Sequence, residues 1–356
     1  MPETVLVTGG AGFIGSHTCV ELLDHGYEVV VVDNHVNSSP EALDRIAKIA
    51  GRPLAAAHRV DVRDRRAMSE VFASHPVDAV IHFAAHKAVG ESVARPVEYY
   101  DTNVGGTCAL LSVMHEYQVD RLVFSSSCSV YGDARTVPLT ERSPVAPTNP
   151  YARTKLMCER ILEDVCARLP RMKVLALRYF NPVGAHPSGL LGEDPRGVPG
   201  NLMPYVAQVA VGRRERLSVF GDDYPTPDGT GVRDYIHVVD VAEGHRVALE
   251  HLDDRAGMRV FNLGTGTGTS VLELVGAFAE VSGRPVPHRV VDRRPGDVAA
   301  LVADASAVAE AWDWTTTRDL TAMCRDAWRF QELNPDGYSR RPRHVGGPTT
   351  GESPCG

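Results

Sequence analysis

Short, continuous apolar runs separated by amphipathic stretches dominate the first half of the chain. The apolar runs predict β-strands at residues 5–8, 28–33, 79–83, 122–125 and 174–178. Because these runs lack an alternating polar face, they are typical of parallel strands that helices cover on both sides. Helical periodicity lies between them, at residues 15–25, 97–117 and 151–169. This alternation predicts an α/β fold with a doubly wound parallel sheet built from right-handed βαβ units.

The residue pattern of the chain changes beyond residue 181. Residues 181–200 and 221–231 are rich in Gly and Pro, which predicts two long loops. Long loops in a compact domain are usually functional. Helical periodicity then returns at residues 202–213, 241–252, 271–282 and 320–333.

These patterns predict two closely joined domains. We expect the first to contain residues 1–181, with residues 235–265 returning to it. Residues 182–234 and 266–338 are expected to form a smaller, mixed α/β substrate-binding domain. Residues 339–356 are polar, rich in Pro and Gly and without periodicity, which predicts a disordered tail.

Composition narrows the classes of function. The 356 residues carry a net charge of −8, which argues against nucleic-acid binding, because that role needs a basic surface. The N-terminus shows no charged-then-apolar leader, and no apolar run reaches the roughly 18 residues of a membrane span. The seven cysteines form no CxxC pair and no metal-ligand spacing. We therefore expect a cytoplasmic protein with free thiols, no bound metal and no membrane partner.

A glycine-rich segment joins the first predicted strand to the first predicted helix. It reads TGGAGFIGS, with Gly9, Gly12 and Gly15 three residues apart. This spacing is typical of the Rossmann dinucleotide loop, in which the backbone approaches a pyrophosphate at a helix N-terminus. Asp33 ends the next strand, where a carboxylate binds ribose hydroxyls and repels a 2′-phosphate. The sequence thus predicts a Rossmann domain that binds NAD. The similar NLGTGTGTS segment near Gly264 lacks such an acid and is interpreted as a turn into a helix capped by Ser270.

A Tyr–Lys pair and a serine predict the catalytic centre. Tyr151 and Lys155 are four residues apart and therefore share one helix face. Ser127 ends an apolar strand, at the carboxyl edge of the sheet where ligands bind in such folds. A tyrosine is a poor base at neutral pH, and a neighbouring ammonium together with a positive nicotinamide ring would lower its pKa. We expect Tyr151 to act as the base, with Ser127 hydrogen-bonding the same substrate oxygen.

Beyond these motifs, the sequence resembles the UDP-galactose (UDP-glucose) 4-epimerases of the extended short-chain dehydrogenase/reductase family over nearly all of residues 3–338. The shared runs include GFIGSHTCVELL, VIHFAAHKAVGESV, FSSSCSVYGD, LRYFNPVGAHPSG and FGDDYPTPDGTGVRDYIHV. The resemblance implies reversible epimerisation of a UDP-hexose through a 4-keto intermediate, tightly bound NAD and a homodimer.

The resemblance also implies the binding residues. For NAD, besides the glycines, Ser127, Tyr151 and Lys155, it implies Phe13, Ile14, Asp33, Asn34, His35, Val36, Asn37, Ser38, Asp61, Val62, Phe83, Ala84, Ala85, Lys87, Thr102 and Phe180. For the UDP-sugar, besides Ser127 and Tyr151, it implies Asn181, Asn201, Leu202, Ser218, Val219, Phe220, Arg233, Arg294, Asp297 and Leu301. Arginines suit the diphosphate because they form charge-assisted hydrogen bonds with it.

Four positions depart from the family pattern, and the mildest is Ser129, which stands where Thr is frequent and keeps a hydroxyl. Thr102 stands where Asn is common, and Phe13 stands where Tyr is common. Leu301 stands where epimerases restricted to glucose and galactose usually carry Tyr, so the pocket could admit a 2-N-acetyl group. An epimerase of UDP-N-acetylglucosamine and UDP-N-acetylgalactosamine, or one of dual specificity, therefore stays open as an alternative to plain UDP-hexoses.

Two further classes of function fit the sequence less well than an epimerase. A nucleotide-sugar dehydratase needs an acidic pair after the strand-end serine, but Cys128 and Ser129 follow Ser127. A non-catalytic NAD sensor is expected to lose Tyr151 or Lys155, and the sequence retains both.

Overall fold

The computed structural model describes residues 2–134, 136–294 and 297–338, so the predicted disordered tail lies outside the described residues. Its strands are β1 Thr4–Thr8, β2 Glu28–Val32, β3 Ala56–His58, β4 Ala79–His82, β5 Arg121–Ser127, β6 Lys173–Tyr179, β7 Asn181–Val183, β8 Leu217–Phe220, β9 Val232–His237, β10 Gly257–Leu263, β11 Gly268–Ser270, β12 His288–Val291 and β13 Ala300–Leu301. Its α-helices are α1 Phe13–Asp24, α2 Glu41–Ala50, α3 Arg65–Ser74, α4 Val89–Ala94, α5 Pro96–Tyr99, α6 Gly106–Glu116, α7 Pro150–Arg168, α8 Leu202–Ala210, α9 Val238–Glu250, α10 Val271–Ser282, α11 Ser306–Trp312 and α12 Leu320–Leu333.

A seven-stranded sheet forms the centre of the molecule. Its strand order is β10-β6-β5-β4-β1-β2-β3, and every neighbouring pair is parallel. The predicted α/β fold with a doubly wound Rossmann sheet is confirmed. The strand order reverses between β1 and β4, which is where ligands bind in folds of this kind.

Apolar side chains on the two faces of this sheet form two separate cores. One contains Val5, Val7 and Leu22 together with Ile236 and Trp312 from the second half of the chain. The other contains residues of β1, β4, β5, α3, α6 and α7. Both faces are covered, so the strands are apolar throughout, as the sequence pattern predicts.

The second half of the chain adds two small sheets and a third core. In one sheet, β9 pairs with β7, β11 and β13, and in the other β8 pairs with β12. Helices α8, α10 and α12 pack together around Met203, Leu274, Phe278 and Cys324. Because β10 pairs with β6, residues 257–263 belong to the central sheet.

Several elements differ from their predicted form. The single helix predicted over residues 97–117 is instead α5, a π-helical segment Tyr100–Gly105 and α6. The predicted loop of residues 181–200 begins with β7, because these residues pair with β9. The short edge strand β3 was not predicted. In the described part of the chain, every helix is too short or too polar to cross a membrane.

Candidate active site

The glycine-rich turn between β1 and α1 brings three backbone segments into close contact. A Cβ on Gly9 would lie 2.8 Å from the Ala84 nitrogen, and one on Gly15 would lie 2.3 Å from the Gly9 carbonyl oxygen. Gly9 also has a φ of +71°, which favours glycine. The N-terminus of α1 carries no acidic residue in its first turn, and no side chain of the described residues caps Gly12. Free N–H groups and the helix dipole therefore face the cleft and suit a pyrophosphate.

Asp33 follows β2 at the same edge of the sheet. Its carboxylate accepts hydrogen bonds from the Ala11 nitrogen at 3.0 Å, the His35 nitrogen at 2.8 Å and the Ser38 hydroxyl at 2.8 Å. These contacts connect the glycine turn to the loop that contains Asn34, His35, Val36, Asn37 and Ser38. The buried carboxylate thus lies beside the turn, where the sequence predicts a ribose partner.

Most of the other predicted cofactor residues line the same edge. Asn34 donates to Asp61 at 3.0 Å, and Val62 is buried against Gly106. Phe83, Ala84 and Ala85 follow β4, directly beside the glycine turn. The Lys87 ammonium lies 5.9 Å from the centre of the Phe13 ring and 2.6 Å from Glu193. Phe180 follows β6 and packs against Tyr131.

Tyr151 and Ser127 meet at the carboxyl end of β5. Ser127 is the last residue of that strand, and Tyr151 lies in the first turn of α7, whose N-cap is Asn149. Burial raises the pKa of the Tyr151 phenol to about 12, a hydrogen bond with Ser127 opposes this shift, and Cys128 adds to it. The Ser127 hydroxyl also accepts from the Ser129 hydroxyl at 2.9 Å. The phenol and the hydroxyl can therefore contact one substrate oxygen together.

Lys155 lies one turn further along α7 and is buried. Its ammonium donates to the Ser125 carbonyl at 2.6 Å and lies 5.0 Å from the centre of the Phe124 ring. Burial lowers its pKa to about 8. We expected Lys155 to lower the Tyr151 pKa, but in the protein alone burial dominates and the pKa of that phenol is raised. The reason is that Lys155 points at the strand backbone.

Several of the predicted sugar-nucleotide residues lie on β7, β8, β9 and β13. Arg233 on β9 contacts Asp297, and β13 places Leu301 in register with Arg233. The Asn181 side-chain oxygen is buried without a hydrogen-bond partner among the described residues, so it is free to accept from a ligand. Leu301 is partly buried in a cluster with Cys128, Tyr131 and Phe180, which follow β5 and β6. The charged Arg233 on β9 and the apolar cluster around Leu301 are therefore neighbours.

The remaining predicted residues sit around this second group of strands. The Arg294 guanidinium lies 4.4 Å from the centre of the exposed Phe220 ring. Ser218 and Val219 precede Phe220 on β8, and the Val219 side chain is buried in the third core, so only its backbone can face a ligand. Asn201 donates to Glu193 at 2.8 Å, and Leu202 begins α8 and packs on the third core.

Sequence reasoning missed several residues that organise the site. Thr102 is buried in the π-helical segment, but the neighbouring Asn103 makes the side-chain contacts there, with the His86 backbone and with Thr154. Asp234 is fully buried and accepts from Thr265, Gly266 and Ala303. These partners lie in the turn after β10 and beside β13, so the NLGTGTGTS segment is a turn fixed by a buried carboxylate.

A family model described as the NAD dependent epimerase/dehydratase family matches residues 5–264. The chain belongs to this family. A UDP-glucose 4-epimerase of Bacillus subtilis is 58% identical over 334 residues, which cover 94% of this chain and 98% of that protein. The crystal structure of a UDP-glucose 4-epimerase from Bifidobacterium longum with NAD⁺ and UDP has a TM-score of 0.91 and 53% identity, covering 94% and 99% of the two chains.

Another epimerase structure shows the same degree of likeness. It is a UDP-glucose-4-epimerase from Stenotrophomonas maltophila with bound NAD and formylated UDP-arabinopyranose. Its TM-score is 0.91 at 50% identity, and the match covers 94% of this chain and 99% of that chain. The likeness therefore extends through the second half of the chain, beyond the segment that the family model matches.

Proposed function

We propose that this member of the NAD-dependent epimerase family interconverts UDP-galactose and UDP-glucose. The observation that carries the proposal is the meeting of Ser127 and Tyr151 at the carboxyl end of β5, on the same sheet edge as the glycine turn. The Asn181 oxygen, which has no hydrogen-bond partner among the described residues, and Arg233 lie on β7 and β9, where both can contact a sugar nucleotide. Identity of 58% to a UDP-glucose 4-epimerase over nearly the whole chain supports the same reaction.

The residues that line this cleft fit NAD. The pyrophosphate suits the N-terminus of α1, which no side chain of the described residues caps and which follows glycines where an added Cβ would clash. Asp33 suits an adenosine ribose and repels a 2′-phosphate, which favours NAD over NADP. When bound, NAD supplies a hydride acceptor and donor at C4 of the sugar and a positive ring beside Tyr151.

The protein's own part in the reaction is proton transfer and orientation. Tyr151 takes the proton of the sugar 4-hydroxyl as the 4-keto sugar forms and returns it after the sugar has turned over. Ser127 donates to the same oxygen and thereby fixes its position. Since burial is the main cause that raises the pKa of Tyr151 to about 12 in the protein alone, the phenol needs a nearby positive charge to act as a base near neutral pH.

Proton NMR of UDP-galactose incubated with the purified protein, without added NAD, tests this proposal. We expect UDP-glucose to appear, which would establish both epimerisation and retention of the cofactor through purification. Tyr151→Phe removes the phenolic oxygen and is expected to abolish conversion. Tyr117→Phe removes a phenol that contacts Ser69 outside the site and serves as the control. A wild-type protein that stays inert with NAD⁺ added would overturn the proposal.

The partly buried Leu301 supports a second candidate substrate. Because Leu is smaller than the Tyr usual in epimerases restricted to glucose and galactose, UDP-N-acetylgalactosamine could also enter the site. Leu301→Tyr should then lower turnover of the N-acetylated sugar while retaining that of UDP-galactose. No detectable turnover of UDP-N-acetylgalactosamine by the wild type would exclude this extension.

We also infer that the enzyme forms a homodimer. Val93 and Val97, on α4 and α5, are 64% and 77% exposed, and Val89 and Met157 are exposed nearby. Water contact with several neighbouring apolar side chains is unfavourable, and a second copy would remove it. Sedimentation equilibrium should give twice the chain mass, and Val97→Glu should shift the protein toward the monomer. A monomeric wild type would contradict this inference.

A further inference from the structure

A buried ion pair lies directly beneath the catalytic side chains. Glu159 is on α7, one turn beyond Lys155, and Arg178 is on β6, in register with Ser126 of β5. The two side chains are 3% and 7% exposed. Desolvating two charges costs about as much as their attraction returns, so a buried pair is weak support for stability. Its position suggests a different role.

The Glu159 carboxylate ties the helix to the strand that carries Ser127. One carboxylate oxygen accepts from the Ser126 hydroxyl at 2.5 Å and from Arg178 Nε at 2.9 Å, and the other accepts from Arg178 Nη2 at 2.5 Å. Ser126 lies between Ser125, whose carbonyl accepts from Lys155, and Ser127. Helix α7 is therefore fixed to the two consecutive residues that precede Ser127 at the strand end.

Arg178 fixes the chain on the other side of Ser127. Its Nη1 donates to the Tyr131 hydroxyl at 3.1 Å, and its guanidinium lies 5.0 Å from the centre of that ring. Tyr131 ends the 3₁₀ turn that begins immediately after Ser127 and donates in turn to Asn262 of β10 at 2.7 Å. The ion pair thus holds both the residue before Ser127 and the turn after it.

The charges around Lys155 give Glu159 a second effect. The groups that face Lys155 are Cys158 and Glu159 on its own helix and His82 on β4. Burial raises the pKa of the Cys158 thiol and lowers that of His82 to about 3, so both are neutral near pH 7. Among the described groups that face Lys155, Glu159 supplies the negative charge that offsets its burial.

We propose that Glu159 and Arg178 are positioning residues that hold Ser127 and the Lys155 ammonium in the arrangement required for proton transfer. The proposal rests on the proposed epimerase function for its kinetic consequences. Loss of the Glu159 charge should release the strand end and leave both Lys155 and Arg178 as buried cations without a counter-charge. Lys155 should then lose its proton at a lower pH.

Glu159→Gln tests the proposal because it retains the side-chain shape and removes the charge. We expect kcat for UDP-galactose to fall about tenfold, with KM changed less than about twofold. The alkaline limb of the kcat profile should move down by about one pH unit. Asp240→Asn is the matched control, because it also replaces a carboxylate with an amide. Asp240 is fully buried and pairs with Arg318, away from Lys155. This variant should leave the pH profile unmoved.

Arg178→Lys separates geometry from charge. It retains the positive charge but cannot contact both carboxylate oxygens and Tyr131 together, so kcat should fall while the alkaline limb stays near its wild-type position. Ser126→Ala removes one donor and should lower kcat by a few fold. If Glu159→Gln does not fold, the kcat values of these two variants test the proposal in its place.

A second readout does not depend on turnover. The Nζ resonance of Lys155, assigned by its loss in Lys155→Met, should titrate about one pH unit lower in Glu159→Gln than in the wild type. An active wild type whose Glu159→Gln variant matches Asp240→Asn in pH profile and titration would overturn this inference alone. A wild type that does not convert UDP-galactose would overturn the proposed function, and the Lys155 titration would still decide the inference.

Discussion

Replacing His82 should make the protein more resistant to acid. His82 ends β4, between the Thr8 hydroxyl at 2.6 Å and the Thr107 hydroxyl at 3.1 Å. Thr107 donates to the Asn103 carbonyl, so it accepts from His82 Nε2, and Nδ1 accepts from Thr8. Burial, with a smaller contribution from the Lys155 charge, lowers the His82 pKa from 6.5 to about 3. The His82 imidazole is therefore neutral in the folded protein near pH 7.

The sign and size of the effect follow from linkage. Because the folded pKa lies below the unfolded value, the unfolded state binds more protons, and stability falls as the pH drops from 6.5 toward 3. At about pH 5 the unfolded imidazole is protonated and the folded one is not, which costs about 2 kcal/mol. His17 and His245 are also fully buried, with pKa values lowered by burial to about 3 and about 4. The three together cost about 6 kcal/mol at about pH 5.

Urea unfolding at about pH 7 and about pH 5 measures this dependence. His82→Gln keeps a donor and an acceptor but cannot titrate, so its free energy of unfolding should fall by about 2 kcal/mol less than that of the wild type between the two conditions. His115→Gln removes an exposed imidazole and is the control. The reasoning is refuted if His82→Gln and the wild type lose stability in parallel. His245→Gln repeats the test at a second site.

Two further substitutions test the nucleotide and sugar sites. Gly15→Ala places a Cβ 2.3 Å from the Gly9 carbonyl, so it should cost about 1–3 kcal/mol and reduce the NAD released on denaturation. Gly276→Ala on α10 adds a Cβ that meets no described atom within 4 Å, so it should leave NAD content unchanged. Asp234→Asn turns an acceptor of four hydrogen bonds into a partial donor, so KM for UDP-galactose should rise, whereas Asp64→Asn at the N-cap of α3 should not change it. Unchanged NAD content or KM would contradict these assignments.

Local signals account for the features that the sequence predicts well. Helix α10 begins and ends where its periodicity predicts, because Ser270 and Glu273 form a capping box and Gly283 ends the helix in the left-handed conformation. The glycine turn and Asp33 are predictable because dinucleotide binding itself requires glycines at this spacing and an acid at the end of the next strand. The periodicity of residues 97–117 could not reveal the π-helical segment, since a six-residue segment is too short to stand out within the longer helical pattern.

The missed residues depend on contacts between distant parts of the chain. Asp234 accepts from residues more than 30 positions away, and no local pattern separates it from an exposed strand acid. Glu159 had a usable signal, because it lies four residues after Lys155 and so shares its buried helix face. Its partner Arg178 lies on β6. The register of β6 against β5 places Arg178 beside Ser126, and Ser126 contacts Glu159.

The two halves of the site are built from different elements, in a way that suits the proposed reaction. A seven-residue central strand carries Ser127, and a nineteen-residue helix carries Tyr151 and Lys155. Glu159 joins the helix to the strand by a hydrogen bond from Ser126. Leu301 lies on a two-residue strand, in an apolar cluster with Phe180. An apolar wall gives a hexose few directional contacts, whereas Arg233 and Arg294 can hold a diphosphate by charge. A 4-keto sugar could therefore turn over while its nucleotide stays bound, which presents its other face to the same tyrosine.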